Sequence, residues 1–441
     1  MQTSEIHGAR ILIVGYGREG KSVESWLRIH YPSVHIDITD EIKNGSGYLN
    51  NLSSYDTVIR SPGVPPYLEA FETYRKNGGH MTSATNIFFS LVKGTTIGIT
   101  GTKGKSTTTS LIARILEKKY DDVRLVGNIG YPMLDALDSS DKNTLFVIEL
   151  SSHQLADSWY SPHIAVLLGI VPEHLDYYPS LSSYIQAKAR IVKFQSENDA
   201  VIYNPDHTIV REIAEAAKSK RVVYRAQGDI VSGTGVQNGT VVLMNGTTPV
   251  PVVSLSEVPL LGNVENILAA VSVGHFLDVS REHIKDALQM FQSLPHRLEF
   301  VGEFREIRFY NDSLATIPEA TIHALESFKG SVSTLIAGGY DRHLDFHELG
   351  SYLRSHPVKT LILFPDTGKK IQEAIGTIDP SFAITCYMVN TMEEAVRLAY
   401  EHTPEKTICL LSPASASYNL FKNYEDRGNQ FKSWVKTFGV L

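Results

Sequence analysis

Cysteine is nearly absent from this chain, with two among 441 residues, Cys386 and Cys409. Both stand in apolar, strand-like runs far apart in sequence, which excludes a disulfide scaffold and a thiolate metal site. They read as buried thiols in a reducing compartment. Long apolar runs are also missing. The longest, Ile164 to Val171, is far too short to span a bilayer. The N-terminal Met-Gln-Thr-Ser-Glu has no basic-then-apolar signal pattern, so the expected location is cytoplasmic. Charge of one sign is not in excess either. A net charge of −7 gives no basic surface for nucleic acid or anionic membrane. Repeats and low-complexity tracts are absent. What remains is an ordinary globular composition, in a chain long enough for about three domains of ~150 residues.

Strand patterns alternate with helical ones throughout, which predicts an α/β fold with mostly parallel sheets. Three α/β units, with boundaries near 90 and 294, divide the chain most simply. Residues 222–255 differ, reading as a hairpin-rich insertion with an Asn245-Gly246 turn.

The most informative stretch is 95–109. A short apolar strand (Ile97, Ile99) enters a turn containing Gly101, Thr102, Lys103 and Gly104, closed by Lys105, Ser106 and Thr107 at the start of an amphipathic helix. Glycines let backbone N–H groups approach phosphate oxygens, the helix start adds positive potential, lysine adds a point charge, and the serine hydroxyl can hold Mg²⁺. The strict phosphate-loop spacing fails by one residue, because Ile99 stands where the first glycine belongs. A bland strand–turn–helix junction lacks a reason for lysine and serine in register. The residues point to a polyphosphate cradle.

A second glycine cluster, Gly15-x-Gly17-x-x-Gly20, follows a strand at 10–14, with Asp37 and Asp40 about twenty residues on. Alone it would suggest an NAD-dependent oxidoreductase, or a nucleotide diphosphate site on the same scaffold. A phosphate loop 85 residues later disfavours the dehydrogenase, since hydride transfer has no use for a triphosphate cradle. The turn Arg60-Ser61-Pro62-Gly63-Val64 follows another strand, and such turns face ligands at a sheet's carboxyl edge. Further on, Glu149 ends a buried strand, a costly place for a carboxylate without a cation. His174 follows the next strand, and Lys188 lies on the helix after it. A GTPase switch would need an Asn-Lys-x-Asp base-reading motif, and the sequence has none.

These motifs occur in a fixed order: Gly101 to Thr107, Gly127-Asn128-Ile-Gly130, Glu149-Leu-Ser-Ser152, Glu173-His-Leu-Asp176, Ala187-Lys188-Ala-Arg190, Asn263-x-x-Asn266, Pro295-His296-Arg297, Asn311-Asp312-Ser313 and Ser412 to Ser417. Together they resemble the Mur ligases of peptidoglycan synthesis across essentially the whole chain, and most of all the branch that joins glutamate to UDP-N-acetylmuramoyl-L-alanine. The resemblance implies three domains: a Rossmann-like UDP-binding domain (1–90), a central P-loop ATPase domain with a parallel sheet (91–293), and a Rossmann-like amino-acid-acceptor domain (294–441). It implies ATP and Mg²⁺ as cofactors and an acyl-phosphate route to the amide. Small-molecule substrates are the only implied partners, for a monomer.

By the same resemblance Ser106 and Glu149 hold one Mg²⁺ and His174 a second, while Lys188 matches a lysine that carries a carbamate and shares in metal binding. Lys105 and Arg297 neutralise phosphate charge. Asn263, Asn266, His296 and Asp312 match the nucleotide surroundings. Gly15, Gly17, Thr39, Asp40, Ser61 and Gly63 match the UDP end, and Asn128 and Ser151 the muramoyl-alanine end. Thr316, Arg342, Ser417 and Tyr424 match the glutamate site. The acceptor motif departs from its pattern. Leu314 and Ile317 replace a lysine and an asparagine, Arg342 a lysine, and Tyr424 a phenylalanine. A lost charge-assisted hydrogen bond is worth ~1.5–3 kcal/mol, enough to reverse a preference between enantiomers. D-Glutamate is the family default and an L-glutamate-adding variant its rival. Elsewhere Glu173 replaces an aspartate, and Gly262 stands near the place of a histidine. A folylpolyglutamate synthase-like ligase is the more distant alternative, disfavoured by the ~90 residues preceding the phosphate loop.

Overall fold

A computed structural model describes residues 3–174, 177–228, 231–246, 248–259, 263–291, 295–328, 330–376 and 384–440. Leu175, Asp176 and Gly262 of the sequence motifs lie outside the described residues. Three sheets follow one another along the chain. The chain clusters into two compact units, Met1–Val258 with Asn263–Phe291, and Pro259–Gly262 with Gln292–Leu441.

The first unit holds two sheets. Strands β1 (Arg10–Val14), β2 (His35–Thr39), β3 (Thr57–Arg60) and β4 (His80–Ser83) form a parallel sheet in the order β2-β1-β3-β4. Alternation along β1 sends Ile11 and Ile13 to one face with Trp26 and Leu27, and Leu12 and Val14 to the other with Phe71 and Tyr74. Both faces are covered, hence the continuous apolar run.

The second sheet is built from β5 (Thr95–Thr100), β6 (Val123–Gly127), β7 (Leu145–Glu149), β8 (Ile164–Leu167), β9 (Ala200–Tyr203), β10 (Lys220–Arg225), β11 (Ser232–Gln237), β12 (Thr240–Asn245) and β13 (Thr248–Ser254). Its order is β13-β12-β11-β10-β9-β8-β5-β7-β6. From β6 to β11 neighbours pair in parallel, and β11–β12–β13 are the antiparallel hairpins read from 222–255. Helix Ala84–Leu91 brings Phe88 to 5.2 Å from the Phe146 ring, so a single core cluster runs through both sheets. This shared core explains why the first boundary near 90 does not separate compact units.

The second unit holds β14 (Glu299–Phe304), β15 (Ile307–Asn311), β16 (Val332–Gly338), β17 (Thr360–Phe364), β18 (Thr385–Met388) and β19 (Ile408–Leu411), in the order β14-β15-β19-β16-β17-β18. Only the β14–β15 pair is antiparallel. Leu335, Leu361 and Leu410 pack on one face, Ile336, Ile362 and Leu411 on the other. Cys409 is buried as expected. Cys386 is only half-buried, because β18 is an edge strand covered less completely. Both thiols are free.

Candidate active site

In the second sheet β5 lies between β7 and β8, although β6 follows it in sequence. Such a switch in strand order opens a crevice at the carboxyl ends. Three loops meet there: the turn after β5, Glu149 at the end of β7, and the segment after β8.

The turn is held by Thr102. Its N–H donates to the Gly169 carbonyl at 2.8 Å, its hydroxyl donates to the Val171 carbonyl at 3.0 Å, and Tyr184 Oη lies 2.9 Å from that hydroxyl. Gly104 caps helix Lys105–Leu116 with φ +84°, and a Cβ there would sit 2.3 Å from Asn266 Oδ1. Only glycine fits. Ser106 is buried in the first turn of that helix, and Lys103 is exposed. Asn263 caps helix Val264–Phe276 by accepting from Glu265 N–H at 3.0 Å, which brings Asn266 against the turn.

Two lysine side chains converge on one backbone carbonyl. Lys105 Nζ donates to Gly101 O at 3.1 Å and Thr102 O at 2.9 Å, and Lys188 Nζ donates to Gly101 O at 2.7 Å. Lys188 comes from helix Leu181–Lys193, one turn after Tyr184, with its Nζ 4.8 Å from that ring's centroid. It is 1% exposed. Burial, then repulsion by Lys105, drives its pKa well below the ordinary value, against the opposing pull of Glu173 and Glu149. The amine is therefore disposed to be neutral.

Glu149 is also buried. Its Oε1 accepts from Asn128 Nδ2 at 2.8 Å, and its Oε2 has no hydrogen-bond partner. A buried carboxylate oxygen without a donor fits a cation. Mg²⁺ binds through one or two protein oxygens with substrate phosphates completing the shell, and Ser106 with Glu149 offers that donor set. Among the described residues no group of three His, Cys, Asp or Glu side chains could hold a metal alone. His174 has φ +57°, lies 3.5 Å from Glu173 and packs edge-on against His153 at 4.7 Å.

At the carboxyl edge of the first sheet, Gly15 precedes Gly17 and helix Arg18–His30, and a Cβ on Gly20 would meet Gly15 O at 2.3 Å. The Ser61 hydroxyl donates to Gly15 O at 2.6 Å, drawing the Ser61–Gly63 turn to the glycine loop. Asp40 accepts from the N–H groups of Tyr16 and Ile42, and Thr39 donates to Tyr48 O, so both shape the loop through their own bonds. Within the 60–64 turn the sequence left open where the Arg60 side chain points. That side chain is 0% exposed and turns inward, pairing with both oxygens of Asp157 at 2.7 Å. Burial penalises the guanidinium charge, but Asp157 outweighs that penalty and holds the pKa above its ordinary value.

Two residues outside the sequence-based set complete this region. Gln154 forms a capping box with Ser151 at the start of helix Ser152–Leu155, a Ser-x-x-Gln spacing that sequence can signal. Its Nε2 donates to Glu19 Oε1 at 2.6 Å, linking Ser151 to the glycine loop of the first sheet. Burial raises the Glu19 pKa to about 7, and its Oε2 has no partner.

The other expected residues belong to the second unit. Asp312 is buried after β15, accepts from Ser412 Oγ at 2.9 Å and Leu298 N–H at 3.2 Å, and has its pKa raised to about 7 by burial. Burial, then Lys432, lowers the pKa of His296, whose Nδ1 lies 3.0 Å from Asn311 Nδ2. Arg297 follows it and is half-buried. Thr316, Arg342 and Ser417 lie on the loops after β15, β16 and β19, with Tyr424 opening helix Tyr424–Gly439. All four cluster at one sheet edge.

Residues 99–274 match the Mur ligase middle domain, and residues 296–415 match the Mur ligase glutamate ligase domain. A UDP-N-acetylmuramoylalanine–D-glutamate ligase of Acetivibrio thermocellus is 33% identical over 457 residues, covering 98% of this chain and 97% of the relative. The protein of that name from Geobacillus kaustophilus is 37% identical over 381 residues, covering 86% and 82%. Among solved structures, the UDP-N-acetylmuramate-alanine ligase MurC of Thermotoga maritima superposes with TM-score 0.58 at 18% identity, covering 97% of this chain and 99% of that one. MurF of the same organism in complex with ADP gives 0.58 at 16% identity, covering 99% and 97%. These structures share the fold, and the sequence relatives fix the family. The chain belongs to the Mur ligase family and is an ATP-dependent ligase.

Proposed function

We propose that this ligase joins glutamate to UDP-N-acetylmuramoyl-L-alanine, with residues 1–90 taking the UDP end, 91–293 the ATP, and 294–441 the amino acid. The observation that carries the reading is the convergence of Lys105, Lys188 and the unsatisfied Glu149 oxygen on the turn after β5. A γ-phosphoryl group passes from ATP to the alanyl carboxylate. The amine of glutamate attacks the acyl carbon, and phosphate leaves as the amide forms. Each step concentrates anionic oxygens, so the chain must supply positive charge and shield the acyl phosphate from water. Lys105 and the N-terminus of its helix face the phosphates, and Arg297 is the second cation. Ser106 and Glu149 would hold Mg²⁺, which neutralises charge on the nucleotide oxygens, and His174 a second ion. Addition of CO₂ requires a neutral amine, which the lowered pKa of Lys188 favours, and its carbamate would supply anionic oxygens beside Glu149.

The acceptor has two readings. Relatives named for D-glutamate favour that enantiomer. Leu314, Ile317 and Arg342 at the acceptor edge, in place of a lysine, an asparagine and a lysine, favour testing L-glutamate as the second. A phosphate-release assay with UDP-N-acetylmuramoyl-L-alanine and ATP, run separately with each enantiomer, decides between them. No release with either ends the proposal.

A further inference from the structure

The second unit contains a buried cation with no anion paired to it among the described residues. Arg427, in helix Tyr424–Gly439, is 0% exposed. Its Nε donates to Ser313 Oγ at 3.0 Å and its Nη2 to Ser313 O at 2.9 Å. Its Nη1 donates to Ser415 O at 3.0 Å and Ala416 O at 3.3 Å. Every acceptor is neutral, and no carboxylate among the described residues pairs with it. Arg60, equally buried, has Asp157.

The groups that Arg427 holds are the loops of the acceptor edge. Ser313 lies three residues before Thr316 and donates to Tyr424 O at 2.8 Å. Ala416 precedes Ser417, and its carbonyl also accepts from Tyr340 N–H at 2.8 Å, in the loop that carries Arg342. Ser415 Oγ lies 2.7 Å from Thr367 Oγ1, and Thr367 Oγ1 accepts from Gly339 N–H at 3.0 Å. One guanidinium thus joins the loops after β15, β16, β17 and β19, directly or through a single intervening group. Neutral side chains could tie carbonyls together without the cost of a buried charge. A cation sealed from water acts over a longer range than an exposed one, because little solvent screens it.

We propose that Arg427 is a positioning residue of the acceptor pocket. It sets the geometry of the Thr316, Arg342, Ser417 and Tyr424 loops and supplies a fixed positive potential beneath them for a dicarboxylic amino acid. This rests on the reading of the second unit as the glutamate-accepting one.

The test compares steady-state kinetics of Arg427→Lys and Arg427→Met with the parent enzyme, varying glutamate, UDP-N-acetylmuramoyl-L-alanine and ATP in turn. In Arg427→Met the KM for glutamate should rise about 10- to 100-fold, while the other two KM values stay within about 2-fold. Arg427→Lys, which keeps the charge but not the fork, should fall between parent and Arg427→Met. An unchanged KM for glutamate in both variants overturns the proposal, as does a parallel shift of all three KM values. If Arg427→Met does not fold, Arg427→Lys carries the test. If neither folds, Arg427 is a folding determinant and the proposal fails. A parent enzyme that releases no phosphate in response to glutamate defeats the underlying reading instead.

Discussion

The Arg60–Asp157 pair gives the sharpest structural prediction, because it joins β3 of the first sheet to the segment after β7 of the second. Arg60 donates to both Asp157 oxygens at 2.7 Å, and its other N–H groups donate to the carbonyls of Ser61, Pro62, Val64 and His153. Asp157→Asn removes the negative charge and turns an amide donor toward the guanidinium. Breaking a buried pair by removing one partner costs about 3–5 kcal/mol. The Asp157 side chain is 18% exposed, so water relieves part of the cost and the lower end, about 3 kcal/mol, applies. A unit larger than about 250 residues sits at the low end, ~2 °C per kcal/mol, so melting of the first unit should fall by about 6 °C. Circular dichroism and calorimetry on parent and variant measure it. The Ser61–Val64 turn loses its anchor as well, so the KM for UDP-N-acetylmuramoyl-L-alanine should rise while that for ATP holds. The double variant Arg60→Met with Asp157→Leu should recover part of the stability, since no buried charge is left alone. A Tm loss below about 2 °C in Asp157→Asn would refute the assignment of this pair as a buried, water-poor contact.

Glu149→Gln should keep the fold and raise the Mg²⁺ concentration for half-maximal activity about 10- to 100-fold, read by titrating Mg²⁺ in the phosphate-release assay. In CO₂-free buffer, burial makes the folded state hold the Lys188 proton less tightly than the unfolded chain does. Folding therefore releases a proton, and stability rises with pH from the depressed pKa up to the ordinary 10.5. Lys188→Met removes this slope, so its Tm advantage over the parent should shrink between pH 7 and 10, while its activity is lost. A ¹³C-bicarbonate-derived carbamate resonance should appear in the parent and be missing from Lys188→Met. Glu19 has the opposite sign. Its pKa, raised from 4.5 to about 7, makes its contribution complete below 4.5 and lost as pH rises through 7. Glu19→Gln should flatten that part of the stability–pH curve, and an unchanged curve would contradict the burial of this carboxyl.

Much of the candidate site is legible in sequence because its requirements are local. Gly104, Lys105 and Ser106 must be consecutive for a helix start to cradle phosphate, and Gly15 to Gly20 must keep their spacing for a helix to pack close to its strand. The Asn245-Gly246 hairpin declared itself for the same reason. The direction of the Arg60 side chain was not legible, because turn chemistry at Ser61-Pro62-Gly63 says where the backbone goes but not where a preceding side chain points. That direction was set by Asp157, ninety-seven residues away in sequence. The partners of Arg427 lie on loops that only the fold assembles, and although the Ser-x-x-Gln spacing signals the cap by Gln154, its bond to Glu19, 135 residues away, comes only with the fold.

The amino-acid order alone determined that this is an α/β chain with two glycine-rich strand–helix loops and an ordered set of Mur ligase motifs, since helix period, strand alternation and loop spacing act over a few residues. Tertiary structure decided that the first two sheets share a single core, that Lys188 meets Lys105 at one carbonyl with its pKa driven down by burial, and that Arg427 is buried with no counter-ion among the described residues. Those outcomes depend on desolvation and on which distant groups come within a few ångströms, quantities that exist only once the chain has folded.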